Sequence, residues 1–221
     1  MKIEKLIELS HRMTPGEEEF ELGIETMNVE EVHKTTVRRS GIWYIIQRIT
    51  MSSHVGTHIE FPYHHLESGK SAAEYPLERL VGDAVLFNFT HKKKDEVITL
   101  EEIKNCGVDV KKGDIAIIYT GMQDLWKTPL AHDRPVLSVE ATRYLVIDKG
   151  IHAIGTDATG LEVRGTDFQP VHQLLFDNDV AMIESMTNLD KLSGKRFSII
   201  ILPLMIEGMD ACPVRIVASE N

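Results

Sequence analysis

The chain has 221 residues, 43% of them apolar, which suits one α/β-sized globular core spanning 1–221 better than two small ones. Its formal net charge of -10 and pI near 5.5 argue against the clustered basic surface that nucleic-acid binding requires. No stretch reaches the ~20 apolar residues of a membrane span, so no membrane partner is expected.

The opening Met1-Lys-Ile-Glu-Lys-Leu6 carries charge where a secretory signal would be apolar. Cys106 and Cys212 stand far apart and outside any C-x-x-C spacing. Together these features predict a protein of the reducing cytoplasm.

Taken in order, runs rich in Ile and Val predict strands over 43–49, 84–89, 114–119, 152–156, 180–183 and 198–202. The apolar run from Phe197 to Ile206 reads as a buried strand, and Lys92-Lys93-Lys94 as a solvated turn. Helical signals fall between the strands. Thr99-Leu-Glu-Glu102 is a capping box opening a short helix toward Asn105. Ser138 is placed to cap a helix running through Lys149, with Gly150 ending it. Pro170 suits the first turn of a helix carrying Val171, Leu174 and Leu175 on one side. Strands alternating with helices predict a mixed α/β class without a regular βαβ array.

Four of the ten histidines, His54, His58, His64 and His65, fall within twelve residues. The run Ser52–Thr57 is poor helix material and reads as a strand that becomes a loop. In a strand, alternate residues share a face. His54, Gly56, His58, Glu60, Pro62 and His64 then lie on one side, and Val55, Thr57, Ile59, Phe61 and Tyr63 on the other. An extended strand would hold the backbones of His54 and His58 about 13 Å apart, near the limit for one shared ion. A kink at Gly56 would shorten that span. Two imidazoles and a carboxylate around a glycine predict a divalent metal such as zinc, manganese or iron, which spacing alone does not separate.

The pattern His54-x-Gly-Thr-His58-x-Glu60-x-Pro62-x-His64 resembles the signature of the cyclase family of metal-dependent hydrolases, which includes bacterial-type kynurenine formamidases and isatin hydrolases. The family's usual pattern has Asp where this chain has Glu60. Leu9-Ser10-His11 with Pro15-Gly16, Thr120-Gly121 with Trp126, and the stretch from Leu202-Pro203-Leu204 to Pro213-Val214-Arg215 resemble further family segments in the same order. The resemblance implies metal ligation by His54, His58 and Glu60, with His172 and Glu184 at or beside a second ion and His64 as acid/base. It also implies a swivelling β/β/α-type fold, a homo-oligomer (commonly a dimer), zinc or manganese as the metal, and a small-molecule substrate.

A metal-activated water attacking a carbonyl, with imidazole relaying the proton, suits cleavage of an amide-type C–N bond. Lactone hydrolysis or cyclisation/dehydration on the same site is the alternative, and a non-catalytic metal or ligand-binding role is a third. No G-x-S-x-G elbow is present. Of the remaining polar residues, His65 reads as structural or at the pocket rim, His152 as a core histidine, Asp157 and Asp167 as caps, and Trp126 as packing. The acidic Glu17-Glu18-Glu19, placed by the resemblance near the pocket entrance, is expected to disfavour anionic substrates.

Overall fold

In the computed structural model, which describes residues 5–37, 39–166 and 168–220, the chain alternates short strands and shorter helices. They run β1 Lys5–Glu8, β2 Leu22–Asn28, α1 Val29–Val32, β3 Ile45–Met51, β4 His58–Glu60, β5 Val81–Asn88, β6 Val97–Ile98, α2 Leu100–Asn105, β7 Ile115–Tyr119 and β8 Val136–Leu137. There follow α3 Val139–Arg143, β9 Ala153–Thr156, α4 Pro170–Phe176, β10 Ala181–Glu184, β11 Arg196–Leu202, β12 Ala211–Pro213 and β13 Arg215–Glu220. The mixed α/β class expected from the sequence is the one observed.

Nine strands form one sheet in the order β1-β13-β11-β5-β7-β9-β10-β4-β12. The central four, β5, β7, β9 and β10, are parallel, and antiparallel strands flank them on both sides. Parallel strands covered on both faces should be apolar throughout, and β7 is buried at all five positions. Ile115 and Ile117 join one core, whereas Ala116 and Ile118 join a second beneath α2, α3 and α4. Each fully buried Ile or Phe contributes about 1.5–3 kcal/mol. The first core also contains Ile7 from β1 and Ile59 from β4, which lie toward opposite ends of the strand order. The sheet therefore curls until its two edges approach, and Ser10 bridges to Met186 across the gap.

Local signals survived where the chain's own hydrogen bonds carried them. The Thr99–Glu102 capping box forms in full, and the Ser138 hydroxyl accepts from Ala141 N. The helix begun at Ser138 is α-helical only through Arg143, however. From Tyr144 to Asp148 it continues as a π-turn, ending before Gly150 at φ +67°. The strand expected over 43–49 pairs with β2 in a separate ribbon rather than with the main sheet. Trp43 consequently stands 84% exposed. The apolar run after Phe197 leaves the sheet at Pro203, so Leu204, Met205 and Ile206 are exposed instead of buried. His152 precedes β9 and lies half-buried against Gly113, not in the core. Among the described residues no helix is long and apolar enough to cross a membrane. Residues 1–4 and Asp167, with its expected cap, lie outside the described residues.

Candidate metal centre

The histidine-rich segment is not one continuous strand. His54 sits in a turn, His58 to Glu60 form β4, and His64 ends a 3-10 turn that Pro62 opens. The expected alternation holds across β4 and its neighbours, where Val55, Ile59 and Phe61 are wholly buried in the core. It fails at Tyr63, which the 3-10 turn leaves 39% exposed. Gly56 supplies the kink with φ +69°. A Cβ there would run into the Met13 thioether, so the turn needs glycine both for its conformation and for the close approach.

The kink brings His54 back over β4. His54 Nδ1 lies 3.2 Å from His58 Nε2 and 3.1 Å from Glu60 Oε1. His58 and Glu60 alternate onto one face, and the β10 pairing sets Glu184 directly across from His58. His58 Nε2 is 3.7 Å from Glu184 Oε2, and His172 Nε2 is 3.7 Å from Glu184 Oε1. Glu60 lies between the two halves, with Oε1 3.6 Å from His58 Nε2 and Oε2 3.6 Å from His172 Nε2. The ligand atoms of His54, His58 and Glu60 converge within 4.8 Å of one another, as do those of Glu60, His172 and Glu184. All five sequence-chosen ligand positions thus meet in one place.

Three residues that the sequence reading missed hold this arrangement or shape it. Asp210 Oδ2 lies 2.9 Å from both His54 Nε2 and His64 Nδ1. Glu162 accepts the backbone N–H of Val171 at 2.7 Å and also meets His172 Nδ1, so one carboxylate caps α4 and fixes its histidine. Arg134 lines the same cavity. No spacing in the sequence marks these residues.

A pattern emerges in the imidazoles. His58 Nδ1 is 2.9 Å from the Gly56 carbonyl, His54 Nε2 is held by Asp210, and His172 Nδ1 by Glu162. A ring nitrogen facing an oxygen acceptor carries a proton, so the opposite nitrogen of each ring, aimed at the cluster, is the one left to take a second proton or a cation. Glu60 Oε2 is buried with no hydrogen-bond partner. Inward ring nitrogens 3.2 Å apart beside an orphaned carboxylate oxygen fit a cation. The charges agree. Burial opposes protonation of His54, yet Glu60 and Asp210 outweigh it and lift its pKa to about 9. Burial likewise opposes protonation of His172, but Glu162, Glu184 and Glu60 raise it to about 10. The carboxylates demand positive charge here.

The cluster floors a cavity of about 390 Å³, a usual size for a small-molecule site. Trp126 is both packing and wall: its ring stacks on His11 with centroids 4.5 Å apart, and it lines the cavity. His65 stacks on His172 at 5.3 Å beside the site. Asp157 is a cap, accepting the Thr120 N–H and hydroxyl at 2.7 Å each. The acidic stretch reaches the cavity through Glu18 and Glu19, but both are paired with cationic or donor groups. Lys127 Nζ lies 2.6 Å from Glu18, and His132 Nε2 lies 3.0 Å from Glu19. Arg134 and Arg164 also stand on the wall, so the entrance carries both signs of charge.

The sequence profile described as "Putative cyclase" matches residues 7–163, which include β4 but not His172, Glu184 or Asp210. A kynurenine formamidase from Salinibacter ruber is 27% identical over 176 residues, covering 78% of each chain. A solved structure described as a potential metal-dependent hydrolase with cyclase activity is 26% identical, with a TM-score of 0.76 over 98% of each chain. Isatin hydrolase A from Ralstonia solanacearum shares the fold, with a TM-score of 0.82 at 19% identity over 97% of this chain and 91% of that one. With more than half its length matched by the family profile, and the motif that carries the resemblance lying inside the match, this chain belongs to the cyclase family.

Proposed function

We propose that this protein hydrolyses an amide-type C–N bond in a small molecule, using divalent metal held by His54, His58 and Glu60, with Glu60, His172 and Glu184 as a second position. The observation that carries the reading is the set of inward ring nitrogens, each fixed by an outward hydrogen bond to Gly56, Asp210 or Glu162. The kynurenine formamidase and metal-dependent hydrolase relatives support it. Bound in this nest, a divalent cation supplies an ionisable water at neutral pH and polarises a carbonyl oxygen.

The chain's own residues do the rest. Asp210 holds the Nδ1 side of His64, which turns Nε2 toward the cluster, 3.9 Å from Glu60 Oε1. His64 Nε2 receives the proton released as water adds to the carbonyl, then returns it to the departing nitrogen. The products are a carboxylic acid and an amine, with no covalent enzyme intermediate. Trp126 and Phe20 wall the cavity and limit water beyond the reacting pair.

The metal is zinc or manganese in this reading, since both accept imidazole with carboxylate oxygen. The working unit is a homodimer, supported by the β2–β3 ribbon, whose Ile24 and Ile49 are exposed, and by Trp43, exposed just before β3. Light scattering coupled to gel filtration tests that. The activity is tested by metal analysis together with turnover of formanilide, a cyclic imide and a lactone. Chelation should abolish hydrolysis of the amides, and one of zinc or manganese should restore it. A fully active metal-free protein, or turnover of the lactone alone, defeats the assignment.

A further inference from the structure

Arg134 precedes β8 and is only 8% exposed, yet it lines the cavity above the ligand cluster's floor. Its guanidinium packs against Gly160, where a Cβ would stand 2.8 Å from Nη2 and 3.2 Å from Cζ. Gly160, at φ +128°, is the residue that permits this approach. The guanidinium thus lies against the Gly160 backbone, with its nearest carboxylates acting only at longer range.

Its polar contacts are few. Nη1 donates to Thr159 Oγ1 at 3.1 Å, while Nε is buried with no partner. No carboxylate among the described residues lies within contact distance of it; burial lowers its pKa, outweighing Glu184, Glu162 and Asp95, which attract it from farther off. Glu19 is not free to pair with it, because it meets His132 Nε2 at 3.0 Å, and His132 Nδ1 in turn lies 2.9 Å from Thr159 Oγ1. Glu162 and Glu184 are engaged with His172, and a buried guanidinium with no contact ion pair costs stability. It is retained economically only if something anionic completes it, and the planar fork of donors matches a carboxylate.

We propose that Arg134 is the anion-recognition residue of this cavity and that it selects amide substrates carrying a carboxylate. The inference rests on the reading of the cavity as the substrate pocket. A carboxylate seated on Arg134 leaves the scissile amide to reach the His58–Glu60–His64 side of the same cavity. Arg164, exposed on the wall, adds a second positive charge along the way in.

The test measures binding first, so that it stands apart from turnover. Calorimetry on the metal-loaded full-length protein compares benzoate with benzamide, for wild type and Arg134→Met. Benzoate is expected to bind wild type more tightly and to weaken about ten- to hundredfold in the variant, the worth of one hydrogen bond to a charged group. Benzamide binding should stay within about threefold. Arg134→Met should unfold at the same or a higher temperature, because it removes a buried charge whose desolvation outweighs its long-range attractions. Arg134→Lys, which keeps the charge but not the fork, should fall between wild type and Arg134→Met in benzoate affinity. Kinetics on 4-formamidobenzoate and formanilide should then show the loss in KM for the charged substrate with kcat little changed. A wild type that binds benzoate no better than benzamide overturns the proposal, as does equal weakening of both ligands. Absence of formamide turnover with the binding difference intact would instead count against the hydrolase reading and leave Arg134 as the anion site.

Discussion

His54 Nδ1 and His58 Nε2 face one another at 3.2 Å, each with its other ring nitrogen already committed to an oxygen. Glu60 Oε1, 3.1 Å from His54 Nδ1, and Asp210 on the other side of the ring favour positive charge at this pair. A divalent cation held by these residues would supply that charge in place of a proton and would satisfy the orphaned Glu60 Oε2. Metal should therefore stabilise the fold as well as the reaction. Bound at a hundred times its Kd, a ligand adds about 2.7 kcal/mol. Chelator-treated protein is expected to melt several degrees lower and to recover on adding zinc or manganese. Superimposable melting curves would remove the metal from this cluster.

His58 and His64 should fail in different ways. His58→Ala removes an inward ring nitrogen and should lose metal content with activity. His64→Ala should retain most of the metal while kcat falls by about 10²–10⁴. Asp210→Asn tests the carboxylate that both His54 and His64 share. It leaves the side-chain volume unchanged but no longer fixes the tautomers, so kcat should fall at least about tenfold with the fold intact. Metal analysis beside steady-state kinetics separates the three; equal metal loss in all of them would deny His64 its separate role.

Gly56→Ala should be costly twice over. The residue sits at φ +69°, and its new Cβ would meet the Met13 thioether. A destabilisation of about 1–3 kcal/mol is expected from the backbone conformation alone. Adding Met13→Ala removes the steric part and should recover some, not all, of the loss. Urea unfolding of the two single variants and the double variant measures this. Full recovery would mean that the conformation itself carries no cost.

His11 gives the protein a stability term in mild acid. Burial against Trp126 disfavours its charged form, Glu18 opposes and Lys127 reinforces this, and the pKa falls from 6.5 to about 4. Between those values the unfolded chain binds a proton that the folded chain does not. Stability should thus be present above pH 6.5 and be lost as pH falls toward about 4. His11→Phe keeps an aromatic ring against Trp126 without the titration. Its unfolding free energy should fall less than that of wild type from pH 6.5 to pH 4.5, and parallel pH profiles would assign the slope elsewhere.

By itself the sequence determined what short-range physics decides. Apolar runs bounded by glycine and proline marked the central strands, because a parallel strand buried on both faces has little room for polar side chains. Thr99 and Glu102 wrote a helix start into four residues, since both hydrogen bonds of the box are local. His54, Gly56, His58 and Glu60 announced a ligand set through their spacing and their resemblance to a family signature. Tertiary structure decided the rest. Asp210 reaches His54 from 156 residues away because β12 happens to pair beside β4. Glu162 reaches His172 because a loop after β9 folds back onto the start of α4. Arg134 became a buried cation only through Gly160, at a glycine that marks no motif. Periodicity tells which side of an element faces inward; which distant side chain waits there depends on strand order and loop path, and those are fixed only when the sheet closes.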